Sequence, residues 1–172
     1  MTGMPEYGTT TRHRSLIGER LAGFVYGTIV VLAVLVAGAR AFPNDAGRIA
    51  VMIVVTSGVL WVAHVYAHAL AQSVANDARV SLAELRLIAT REGSILEATV
   101  PPLAALLLAA FDLVSTDTAV WIAFGVGLVV LAVQGIVFAR VERLRWPSTV
   151  LVVAANVGLG LVLVAVKVFL TH

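Results

Sequence analysis

From Ile49 to Ala71 the chain runs for 23 residues with no Asp, Glu, Lys or Arg, and it carries His64 and His68 within that apolar run. A stretch of this length and composition is long enough to cross the hydrocarbon of a bilayer as a helix, because about 20 residues at about 1.5 Å each cover about 30 Å. An ionisable side chain inside such a helix is expensive to keep and marks a candidate functional site.

The whole chain conforms to this pattern. Of 172 residues, 60% are hydrophobic and 13% are charged, and mean hydropathy is +0.97, beyond what an ordinary soluble domain carries. The expected fold is all-α: a polytopic transmembrane bundle of five spans, near Leu21–Ala39, Ile49–Ala71, Ile95–Phe111, Ala119–Ala139 and Ser148–Leu170. The third is the shortest. A polar segment, residues 1–18, precedes this five-helix domain of residues 19–172 and is expected to be loose or surface-bound.

Orientation follows from arginine bias. Arg12, Arg14 and Arg20 precede the first span, Arg79, Arg86 and Arg91 follow the second, and Arg140, Arg143 and Arg145 follow the fourth; the other side has Arg40, Arg48 and Lys167. The N-terminus is therefore expected in the cytoplasm and the C-terminus outside. Ala37-Gly38-Ala39 has the form of a signal-peptidase site, but the run before it is longer than a signal core, so the span is expected to stay uncleaved. Gly23 and Gly27 form a GxxxG pair suited to close helix packing.

Between the second and third spans, Ser81-Leu82-Ala83-Glu84 fits a capping box, with Leu82, Leu85 and Ile88 recurring on one face, so a cytoplasmic interfacial helix is expected near residues 76–92. Ser94-Ile95-Leu96-Glu97 reads as a second capping box opening the third span, and Pro101 and Pro102 are expected to kink or loosen it. Trp146 beside Pro147 reads as an interfacial anchor opening the last span.

Counting depth along each span places Tyr26, His64, His68, Glu97, Gln134 and Asn156 in the cytoplasmic half, with Thr28 close to that level and Ser57 nearer the midplane. The layer of Tyr26, Thr28, Ser57, Gln134 and Asn156 with the histidines suits a cavity or an interhelical hydrogen-bond network. Ser57, Trp61, His64, His68 and Gln72 follow one another at steps of four, three, four and four, so they share one face of the helix, which is expected to look inward. Histidines at i and i+4 can bind one metal ion, with Glu97 completing a two-histidine, one-carboxylate set, and a divalent metal is the one candidate cofactor. They can equally relay protons, since imidazole changes charge near neutral pH. The plainer reading of the pair is structural, as hydrogen bonds to backbone, Asn156 or Gln134.

Absences narrow the rest. There is no cysteine, hence no disulfide or thiolate metal site. No phosphate loop, dinucleotide fingerprint or Ser-His-Asp signature is present, which removes an ATP-driven pump acting alone. The net charge of +2 sits between apolar runs and does not indicate nucleic acid as a partner. The partners expected are the lipid bilayer and other membrane subunits or a second copy.

The segments Val25–Val31, Trp61–His68 and Arg145–Ser148 resemble a group of small actinobacterial integral membrane proteins with no assigned function. The resemblance covers most of the chain from the first span onward and implies a bacterial plasma-membrane setting without a mechanism. Arg20–Gly27 is more distantly similar to the opening of lysosomal-type potassium channels, with Val25 and Tyr26 where that family has Ser and Asp. The expectation is a non-enzymatic accessory subunit or small transporter component, with a histidine-dependent ion, proton or metal translocator as the alternative.

Overall fold

The computed structural model describes the backbone of residues 7–77 and 79–171, and the side chains of residues 18–77 and 79–169. Among these residues the chain is helical throughout and has no strand: α1 (Tyr7–Ala41), α2 (Ala46–Asn76), α3 (Leu82–Arg91), α4 (Ser94–Glu97), α5 (Val100–Ala110), α6 (Thr116–Val141) and α7 (Trp146–Thr171). Four helices are long and apolar enough to cross a membrane: Gly18–Ala41 within α1, then α2, α6 and Trp146–Phe169 within α7. A fifth crossing exists if the bent unit Leu82–Glu97 with Val100–Ala110 is one broken span.

Each long helix follows from its sequence. Asp45 caps α2 by accepting from the Arg48 amide at 2.9 Å, and Ser115 caps α6 by accepting from Thr118 at 3.2 Å, each satisfying a backbone donor that the first turn leaves open. The ends of α5 and α6 close through Leu113 N–H donating to the Leu108 carbonyl and Leu144 N–H donating to that of Ala139, both at 2.9 Å. Asp112 and Arg143 take the left-handed turn, at φ 56° and 51°, that a glycine more often supplies. Trp146 and Pro147 open α7 as the sequence predicts.

The bent unit between α2 and α6 is where structure adds most. Pro101 and Pro102 lie in the first turn of α5 and have no N–H to continue the ladder from α4, and the two parts meet at a bend of 48°. The Ser94–Glu97 capping box is not formed. Gly93 occupies the N-cap position without a side-chain bond, because the chain is already turning out of α3, and Ser94 is buried. The box at Ser81–Glu84 is formed in full: Ser81 N–H donates to Glu84 Oε2 at 2.7 Å and Glu84 N–H donates to Ser81 Oγ at 3.2 Å. α2 runs on to Asn76, so the interfacial helix begins only at Leu82. Helix α1 begins at Tyr7 where a loose segment is predicted; residues 1–6 of that segment lie outside the described residues.

α1 is the hub, packed against α2, α4, α6 and α7, with α5 set between α2 and α6. In its apolar window 44% of residues are buried, against 6% for α7. The core is concentrated toward one end, the end away from α3: Val31, Leu32 and Leu35 of α1 meet Ile49 and Ile53 of α2, Leu106 of α5 and Phe124 of α6. At that same end Lys167 of α7 is only 5% exposed. Its Nζ lies 3.4 Å from Asp117 Oδ1 and 3.9 Å from the centre of the Trp121 ring, so carboxylate and aromatic face replace the water it gives up.

Near the other end α1 and α4 approach through the glycine pair. A Cβ on Gly27 would lie 2.9 Å from the Ile95 carbonyl oxygen and 3.0 Å from Ala98 Cβ, and one on Gly23 would lie 2.5 Å from the Ser94 hydroxyl. Gly58, in contrast, has nothing within 4 Å. Gly27→Ala should therefore cost about 1–3 kcal/mol through overpacking, while Gly58→Ala should be neutral or mildly stabilising, since Ala exceeds Gly in helix propensity by about 1 kcal/mol. Thermal unfolding of the purified protein in one detergent checks the pair; equal midpoints would refute the close approach.

Glu84 supplies a second expectation. The Ser81 backbone amide, and then its hydroxyl, hold the Glu84 carboxyl below its ordinary value. A carboxyl held low stabilises the fold while ionised, and that contribution disappears as pH falls through the lowered value. Amide protection around Ser81–Leu85 should fall on acidification below the usual carboxylate range, and Glu84→Gln should abolish the pH dependence of protection without restoring its neutral-pH level.

Candidate functional site

The predicted stripe of α2 borders the crevice between α1 and α3, but it looks inward only in part: it is buried at Ser57 and exposed at His68 and Gln72. Ser57 is buried at 2% exposure, Trp61 Nε1 donates to the Ala89 carbonyl of α3 at 3.1 Å, and His64, His68 and Gln72 line a cleft of about 410 Å³. α1 contributes Glu19, Gly23 and Tyr26 to its wall, and α3 with its C-cap contributes Arg91 and Glu92. This volume lies within the range of small-ligand sites.

Both imidazoles are oriented by the helix that carries them. His64 Nδ1 lies 3.1 Å from the Leu60 carbonyl oxygen and His68 Nδ1 lies 3.1 Å from that of His64. A carbonyl oxygen only accepts, so Nδ1 carries the proton in each ring. His68 Nδ1 is also 3.3 Å from Glu92 Oε1, a second acceptor on the same N–H. This fixes the tautomer and directs the remaining lone pair to Nε2, the pattern found where imidazole serves as ligand or base. The Tyr26 ring stands 5.3 Å from that of His64, tilted by 45°, within the range of favourable aromatic contact.

The residues predicted to act together divide among four places. His64, His68 and Tyr26 share the cleft. Gln134 and Asn156 line a second cavity, of about 400 Å³, between α1, α6 and α7, which Tyr26 and Ala22 also border. Thr28 is fully buried and donates to the Phe24 carbonyl of its own helix at 2.9 Å, and Ser57 belongs to the packed interior. Glu97 stands apart from the histidines. It is more than half exposed and accepts from Arg20 Nη2 at 3.1 and 3.3 Å, because α4 presents it to the start of the first span.

The carboxylate beside the histidines is Glu92, whose side chain is 18% exposed. The predicted His64, His68 and Glu97 metal set is thus not assembled, and among the described residues no cluster of three His, Asp or Glu side chains is arranged to hold a metal ion. Glu92 escapes a depth count because it lies between two spans; its signal in the sequence is proximity to Gly93, where the chain turns back toward α1. Arg91 escapes the count in the same way, and Glu19 because it precedes the first apolar run. In the second cavity Gln134 Oε1 is buried and accepts no hydrogen bond, and Asn156 Nδ2 reaches the Leu131 carbonyl only at 3.5 Å.

The tautomer assignment is directly measurable. In 15N spectra of histidine-labelled protein, the neutral rings of His64 and His68 should appear as Nδ1–H tautomers. Glu92→Gln should shift the His68 resonances and leave those of His64 in place. Rings found as Nε2–H would refute the geometry.

Comparison of the chain with protein-family models, with curated proteins and with solved structures finds no match.

Proposed function

We propose that this chain is a non-enzymatic multi-pass protein of the bacterial plasma membrane that works as a small transporter component or accessory subunit. The α4–α5 unit serves as a broken third span, the N-terminus lies in the cytoplasm and the C-terminus outside. Arginine bias supports this orientation. The observation that carries the reading is the cleft at the arginine-rich end, where His64, His68 and Glu92 from two helices meet Tyr26 of the hub helix. Polar and ionisable groups placed at the margin of spanning helices mark binding sites and ion pathways.

A second reading, a histidine-dependent proton or metal translocator, is favoured by one feature. Both Nδ1 atoms are occupied by carbonyl oxygens, so both Nε2 atoms are the proton- or metal-accepting positions. Partners in either case are the surrounding lipid and the subunits or second copy that the exposed apolar faces of α2 and α7 could contact.

Reconstitution into liposomes under an imposed proton or zinc gradient tests both readings. Flux in the wild type, reduced roughly tenfold or more in a His64→Gln, His68→Gln variant of unchanged helicity and thermal midpoint, is expected for a translocator. Stoichiometric metal in the wild type that the variant loses would identify the ion handled. No flux and no metal leaves the accessory role, and a double variant that fails to insert would make the histidines packing residues and overturn the binding-centre reading.

A further inference from the structure

The two cavities meet on α1. Ala22 and Tyr26 border both the histidine cleft and the cavity between α1, α6 and α7, so the two lie on either side of one shared wall. Their chemistry differs sharply. The cleft holds two carboxylates, Glu19 and Glu92, against one guanidinium, Arg91, and with neutral imidazoles it carries a formal charge of about −1. It is also rich in acceptors, since both histidine Nε2 atoms add lone pairs to the carboxylate oxygens. The second cavity is walled mainly by aliphatic side chains, among them Leu21, Val25, Ile29 and Val152. It holds one buried acceptor without a donor, Gln134 Oε1.

We infer that the two neighbouring cavities bind a cationic amphiphile that crosses from one to the other over Ala22 and Tyr26, with an ammonium head in the histidine cleft and an alkyl chain in the α1–α6–α7 groove. This rests on reading the cleft as a binding centre and names the class of ligand it takes. Charge complementarity selects the head: an ammonium group donates hydrogen bonds to Glu19, Glu92 and the Nε2 atoms, whereas a phosphate or sulfate would meet two carboxylates. Tyr26, stacked on His64, adds an aromatic face to the cation's surroundings. The groove accepts most of the tail: from the shared wall at Ala22 to Ile29 it follows about 10 Å of helix, room for about eight methylenes of a dodecyl chain whose first few carbons cross from the cleft.

Dodecylammonium is the probe, titrated calorimetrically against the full chain in lipid nanodiscs, with dodecyl sulfate as the isosteric anion. Saturable binding of one dodecylammonium per chain is expected, with no saturable binding of dodecyl sulfate. Glu19→Gln, at an exposed position, should weaken binding about tenfold through loss of a charge-assisted hydrogen bond. Val152→Trp, which fills the groove, should weaken it comparably at unchanged helicity. Equal binding of the sulfate, or affinities that neither substitution moves, overturns the proposal. So does a change of oligomeric state in Val152→Trp with binding intact, which would make the groove a seat for a second copy. Histidine-dependent proton or zinc flux without dodecylammonium binding overturns the amphiphile alone; absence of flux, metal and amphiphile binding overturns the binding-centre reading with it.

Discussion

The close approach of α4 to α1 over Gly23 and Gly27 decides where everything at the arginine-rich end stands. With hydrogen in place of Cβ at both positions, the α4 backbone lies directly on the first helix, and Ser94 and Ile95 are buried there. α3 is joined to α4 through Glu92 and Gly93, so its tilt follows from that seat. Trp61 then holds α3 to α2 through the Ala89 carbonyl. Glu92 and Arg91 reach the histidine cleft only because these contacts fix the end of α3. Larger side chains at the two glycines would lift α4, and the acidic wall of the cleft would move away from His68.

Two kinds of polar group share this all-helical architecture, and their surroundings separate them. Thr28 turns its hydroxyl to its own helix backbone, and Lys167 is enclosed by Asp117 and Trp121; each is satisfied locally and holds the fold together. His64 and His68 are satisfied at Nδ1 alone, and Gln134 Oε1 is not satisfied at all. Buried polar groups in native proteins are nearly always hydrogen-bonded, so an exception calls for an explanation. Here the exception is Gln134 Oε1, which borders the cavity between α1, α6 and α7.

Much of the fold was legible because hydropathy and capping are local. The apolar runs locate α2, α6, α7 and the C-terminal end of α1 to within a few residues, although α1 starts 14 residues before the predicted Leu21; Ser81 and Glu84 announce α3, and the steps from Ser57 to Gln72 trace the face of α2 along the cleft, of which Ser57 is buried while His68 and Gln72 are exposed. The break in the third span was visible as Pro101 and Pro102, while its 48° angle was not, because the angle depends on where α4 and α5 each find neighbours. Depth along a helix can be counted; direction around the bundle cannot. Glu97 and the histidines therefore seemed to share a site, when α4 turns Glu97 toward Arg20 and the chain brings in Glu92 from beyond the spans. Ser94-x-x-Glu97 also illustrates how a capping pattern fails when the preceding residues are already helical.

Packing is unevenly distributed along the bundle. Val31, Leu35, Ile49, Leu106 and Phe124 lock the helices together near one end, whereas the other end is hollowed by two cavities. Helices clamped in this way behave as levers with a shared fulcrum. α2, with 31 residues, is about 46 Å long, and a pivot of about 5° at its clamped end displaces the opposite tip by about 4 Å. At His68, about 22 Å along α2 from Ile53, a pivot of that size amounts to about 2 Å, so a small change of angle at the core is a change of width at the cleft.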